Sequence, residues 1–147
     1  MMAATTDLPS DTSESAREAM ALLEPFFKAW RDSDPEGMVS RIADGKVDYI
    51  DYLASPNKLE SKDAVRPFLE RFFQMASDFT YTTVSAYGDR RQLTLEAVIS
   101  FKLRAELPGF PLKEGDTARL PGVSIIKMDE QGLVVFKHDY FILSHDS

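Results

Sequence analysis

The chain has 147 residues, no cysteine and a formal net charge of −7, with Lys and Arg scattered along it. That length suits one domain burying about 70% of its unfolded surface. The absent cysteines exclude disulfides, thiolate metal sites and a cysteine nucleophile, and the acidic balance argues against nucleic acid as a partner.

No apolar run approaches the roughly 20 residues that span a bilayer, and residues 1–15 lack a basic start followed by an apolar core. A soluble, cytoplasmic protein with no membrane partner is therefore expected. Residues 1–12, small, polar and acidic with Pro9, read as a mobile tail, leaving one domain over residues 13–147.

From Ser13 the pattern changes. Ala16, Met20, Leu23, Phe27 and Trp30 recur every three or four residues, which predicts an amphipathic helix interrupted at Pro25 by a kink or a late start. Asp34 as cap, Pro35 at the first helical position and Glu36 in the first turn open a short second helix that ends by Gly45. Residues 47–52 read as a strand with Val47, Tyr49 and Asp51 on one face, followed by a loop at Pro56 and Asn57. Ser61 caps a third helix over 61–76, with Val65, Phe68, Leu69, Phe72 and Phe73 in its buried stripe and a bend expected at Pro67.

The second half is strand. Residues 79–87 alternate, turn at Gly88-Asp89-Arg90 and are answered by residues 92–107. A connection around Pro108-Gly109 leads to a strand over 117–129, in which Pro121-Gly122 marks a bulge or an edge. The closing strand is Gly132 to Leu143. Helices followed by strands give an α+β domain, about three helices packed on a curved, mostly antiparallel sheet, with a pocket at the sheet's open mouth.

The closing strand carries Lys137, His138 and Asp139 in an apolar run, where an unpaired charge is expensive to bury. Alternation puts Val135, Lys137, Asp139 and Phe141 on one face and Phe136, His138, Tyr140 and Ile142 on the other. Asp139 is thus expected to point into a cavity, and His138 to lie on the outer or dimer surface.

Three stretches, A-W-R-D-S-D-P-E-G-M in the first helix pair, S-K-D-A-V-R-P-F-L in the third helix and M-D-E-Q-G-L-V-V-F-K-H-D-Y-F in the final hairpin, together resemble the nuclear transport factor 2-like superfamily. Its SnoaL-like polyketide cyclase, limonene epoxide hydrolase and ketosteroid isomerase members are the nearest in pattern. The resemblance covers most of residues 16–143. It implies a cystatin-like conical barrel with a deep apolar cavity, often a homodimer through the sheet, acting on small hydrophobic molecules without a metal or other cofactor.

Asp51 matches the place of the general base of ketosteroid isomerases. Their oxyanion tyrosine corresponds to Phe26 or Phe27, which has no hydroxyl, and their protonated aspartate to about Ser124. Asp139 matches an aspartate in the closing-strand motif of limonene epoxide hydrolases, whose Arg and second Asp fall near Ala97 and Ile99. SnoaL-like cyclases are similar in needing chiefly one pocket aspartate, the requirement this chain meets best.

A carboxyl in an apolar cavity has a raised pKa, which suits acid or base work near neutral pH. Asp139 is the principal candidate, with Asp51 and Tyr49 assisting. Trp30, Phe27, Phe68, Phe72, Phe101, Ser124 and Lys137 are the candidate substrate contacts. Against this stand a salt bridge from Asp139 to Lys137 at the sheet rim, an Asp51 that caps backbone amides and rings that only fill the core. Lys137 could equally hold Asp139 ionised and favour a base role. The reading is a cofactor-independent acid/base enzyme (isomerase, cyclase, dehydratase or hydrolase) on a small hydrophobic substrate. The alternatives are a ligand-binding or dimerisation module without catalysis, and a cavity plugged by its own side chains.

Overall fold

The computed structural model describes residues 8–106 and 110–143, without the side chains of 55 and 56. Three helices, α1 (Glu14–Arg31), α2 (Pro35–Val39) and α3 (Lys62–Met75), cover six strands: β1 (Asp48–Asp51), β2 (Ser55–Leu59), β3 (Ala76–Asp89), β4 (Gln92–Leu103), β5 (Thr117–Met128) and β6 (Val134–Phe141).

The caps form as the sequence predicts. Ser13, Asp34 and Ser61 each accept the amide of the residue three further on, satisfying a donor that the first turn of a helix leaves free. α1 runs unbroken through Pro25 and buries Ala16, Ala19, Met20, Leu23, Phe26 and Phe27 along one side. α2 stops at Val39 rather than near Gly45. Residues 1–7 of the expected tail and the Leu107–Gly109 part of the connection lie outside the described residues. Leu8 is buried in the core, and Arg17 donates to the carbonyls of Pro9 and Thr12, so the chain is already packed there.

The sheet order is β2-β1-β6-β5-β4-β3. β3 to β6 form the expected antiparallel meander, whereas β1 lies parallel to β6. β2 occupies the stretch expected to be a loop, paired as an edge strand beside β1. The sheet stays open, with β2 and β3 as its edges, and the helices fill the concave side that a closed barrel would enclose. Register shifts in β3 between Ser77 and Thr80 and between Thr83 and Ser85 mark bulges, which bend a strand.

No bulge occurs at Pro121-Gly122, where the β4–β5 register is continuous. The Pro121 carbonyl accepts from Ile142 N, just past the end of β6, so the missing proline N–H forgoes only the reciprocal bond beyond the last β5–β6 pair. A side chain at Gly122 would collide with the Tyr140 carbonyl and with Phe141, which explains a glycine there. No described helix is long and apolar enough to cross a membrane.

Candidate active site

In the parallel β1–β6 pair Tyr49 stands opposite Lys137 and Asp51 opposite Asp139. Within each strand the two positions are two apart and share a face, so the pairing sets four polar side chains in a square on the inner side of the sheet. All four line a cavity under α1 and α3, where Trp30, Phe68 and Phe72 also reach it. Asp139 therefore faces inward, as alternation along the closing strand predicts.

The cavity itself is smaller than the resemblance implied. It offers about 30 Å³ to water, room for about two molecules and far below the ~300 Å³ at which ligand pockets begin. Its own rings fill it, with Trp30 stacked on Phe72 at 5.6 Å and Phe72 on Phe68 at 6.4 Å. Trp30, Asp51 and Phe72 are half-buried, while the other lining residues are buried.

Asp139 is 5% exposed and its neighbour Lys137 6%. Lys137 Nζ lies 2.5 Å from Asp139 Oδ2, and the Ser124 hydroxyl donates to Oδ1 at 2.6 Å. Tyr81 in turn reaches from β3 across β4 and donates to Ser124 Oγ at 2.9 Å. Both oxygens of Asp139 are thereby occupied. The salt bridge weighed as an alternative does form, but inside the cavity rather than at the rim. Burial is the largest single influence on Lys137 and works against its charge, but Asp139, Tyr49 and Tyr81 together raise the lysine's pKa. The ammonium also lies 5.3 Å from the Tyr49 ring centre and 5.7 Å from that of Phe26.

Asp51 differs. Its Oδ1 accepts the amides of Leu53 at 3.0 Å and Ala54 at 3.1 Å, the capping role expected as its plainer reading, and among the described residues its Oδ2 has no partner. Burial first, then the charge of Asp139, pushes its pKa above the ordinary carboxylate value, with the two amides and Lys137 pulling the other way. Burial likewise pushes the Tyr49 hydroxyl up to about 12, so it stays a neutral donor, and it too has no hydrogen-bond partner among the described residues.

The remaining candidates divide. Phe27, Phe68, Phe72 and Trp30 reach the cavity. Phe101 does not: it packs on Phe72 and Phe79 in the core behind it, 5.3 and 5.9 Å between ring centres. Ser124 is fully buried and touches Asp139 instead of the open space. His138 is on the outer side as expected, 2.8 Å from Asp48 and stacked on Phe136. Tyr81 is the residue that sequence reasoning misses. Strand alternation points it inward beside Phe79, but its reach to Ser124 depends on the sheet order. Among the described residues no group of three or more His, Asp or Glu side chains could hold a metal ion.

Comparison with known proteins gives a consistent picture. The model of the SnoaL-like domain matches residues 23–136. Cyclase aurE of Calcarisporium arbuscula is 26% identical over 117 residues, 80% of this chain and 82% of that protein. Two solved structures share the fold. One, from Shewanella denitrificans and assigned to the SnoaL-like polyketide cyclases, has a TM-score of 0.71 at 16% identity over 85% of this chain and 90% of its own. The other, an LEH-like epoxide hydrolase of M. tuberculosis, has a TM-score of 0.66 at 14% identity over 86% and 84%.

Proposed function

Because the chain belongs to the SnoaL-like domain family, we propose that it is an enzyme of cyclase or isomerase type that moves a proton on a small hydrophobic carbonyl compound without a cofactor. One observation carries this reading: a carboxyl with a free oxygen, Asp51, beside a buried ion pair in an apolar cavity. Both oxygens of Asp139 are already engaged, by Lys137 and Ser124, so we assign proton transfer to Asp51 and the fixing of Lys137 to Asp139.

The Asp51 carboxylate takes a proton from the carbon next to a carbonyl. The C–H electron pair becomes the C=C bond of an enolate, and the carbonyl π pair moves to oxygen. Where the enolate is conjugated, Asp51 returns the proton to a different carbon of the same π system, which is isomerisation; otherwise the enolate carbon attacks a second carbonyl of the same molecule. In that cyclisation the new alkoxide takes the proton back from Asp51. Positioned acid–base catalysis of this kind contributes about 10²–10⁴ in rate. The rings of Trp30, Phe68 and Phe72 keep water from the enolate once a ligand has parted them.

The test is loss of α-proton NMR signals from a panel of hydrophobic ketones and lactones in deuterated water. Wild-type protein should accelerate exchange of at least one compound about a hundredfold, and Asp51→Asn should abolish the effect. Exchange no faster than in buffer, or unchanged in the variant, contradicts the reading. The occupied oxygens of Asp139 favour a second one, a module that binds such a compound without transforming it, which binding without exchange would support. We further propose that two copies pair through the outer face of the sheet, where Val84, Tyr87 and Ile142 are exposed around a shallow groove.

A further inference from the structure

We propose that Lys137 Nζ and the Tyr49 hydroxyl form a binding site for a ligand oxyanion, the enolate or phenolate oxygen of a flat conjugated molecule. The inference rests on the proton-transfer reading above and supplies what that reading lacks, a partner for the developing negative charge.

An ammonium has three donors. Among the described residues Lys137 spends one on Asp139 and makes no other hydrogen bond, and the faces of Tyr49 and Phe26 beside it offer no lone pair. A buried charged donor short of acceptors is costly and seldom left so without a reason. The residue directly across the strand pair, Tyr49, adds a second donor that lines the same cavity and has no acceptor among the described residues. Neither group has an acceptor to offer beyond the tyrosine oxygen, so what completes the pair is an oxygen rich in electrons.

The rest of the square fits such a ligand. Asp51 is two residues from Tyr49, about 7 Å along an extended strand, a span filled by a carbonyl oxygen, its neighbouring carbon and a carboxylate. During proton transfer the negative charge leaves Asp51 and arrives on the oxygen beside Lys137, so the net charge of the cavity is unchanged. The near-parallel faces of Trp30, Phe72 and Phe68, 19° and 5° between successive planes, suit a flat π system once they part. The lysine keeps its proton because Asp139 holds it, which makes it a donor to oxygen rather than an amine nucleophile.

The probe is 4-nitrophenol, whose ionised form absorbs in the visible, titrated with protein at a pH slightly below its own pKa. Wild-type protein should bind it as the phenolate, raising its acidity about tenfold or more. Lys137→Met alone strands a buried Asp139 charge, so the variant to use is Lys137→Met with Asp139→Asn, which removes both charges. That variant should bind only the neutral phenol, and Tyr49→Phe should reduce the ionised fraction. Asp51→Asn should keep the phenolate signal while losing α-proton exchange, which separates this site from the base. A neutral bound phenol in wild type, no binding at all, or ionisation that survives the double substitution would overturn the oxyanion site and leave the Asp51 reading standing.

Discussion

Asp51 and Asp139 face each other directly across the parallel β1–β6 pair, and Lys137 is bonded to only one of them. Two carboxyl groups one strand spacing apart, roughly 5 Å, disfavour being charged together. Asp139 takes the cation, and Asp51 keeps its proton above the ordinary carboxylate range.

The facing carboxyls also make stability depend on pH. The folded chain raises the pKa of Asp51 through burial and the neighbouring charge. In acid, where Asp51 is protonated in both folded and unfolded chains, there is no penalty. The penalty grows as pH rises past the ordinary carboxylate value and is complete above the folded-state pKa. Asp51→Asn keeps the acceptor for the Leu53 and Ala54 amides and removes the charge. Its urea midpoint should match wild type in acid and exceed it at neutral pH.

The ion pair should show the asymmetry of buried charges. Lys137→Met alone leaves Asp139 unpaired at 5% exposure and should lower stability by about 3–5 kcal/mol in chemical denaturation, whereas Lys137→Met with Asp139→Asn should recover most of that loss.

The chain from Tyr81 through Ser124 to Asp139 should be uneven in the same way. Ser124→Ala strands two partners, the Tyr81 hydroxyl and Asp139 Oδ1, and should cost about 2–3 kcal/mol. Tyr81→Phe strands only the serine oxygen and should cost about 1 kcal/mol, both read from denaturant midpoints.

If two copies pair through the outer face, sedimentation should give a dimer for the wild type. Val84→Asp with Ile142→Asp should give a folded monomer, since both positions are exposed in the single chain, 46% and 71%. A wild-type monomer at high concentration would contradict the pairing.

Local pattern carries much of the fold and part of the site. Three capping side chains mark the helix starts, and a period of two along β6 places Lys137 and Asp139 inward, because both signals act within a few residues. What escapes depends on distant pairing. β2 carries Pro56 and Asn57, poor strand formers that an edge tolerates. Nothing in residues 48–51 says that their partner is β6, so the meeting of Asp51 with Asp139 becomes visible only in the folded sheet. Tyr81 joins Ser124 only once β3, β4 and β5 lie side by side. Phe101 shows the reverse limit: alternation turns it inward, but inward is the core behind Phe72 rather than the cavity.

The most direct measurement is an NMR titration of the Asp51 side-chain carboxyl carbon in wild type and in Asp139→Asn. The midpoint should lie above that of a free aspartate in wild type and fall when the facing charge is removed. An Asp51 that titrates like aspartate in water, indifferent to Asp139, would contradict this.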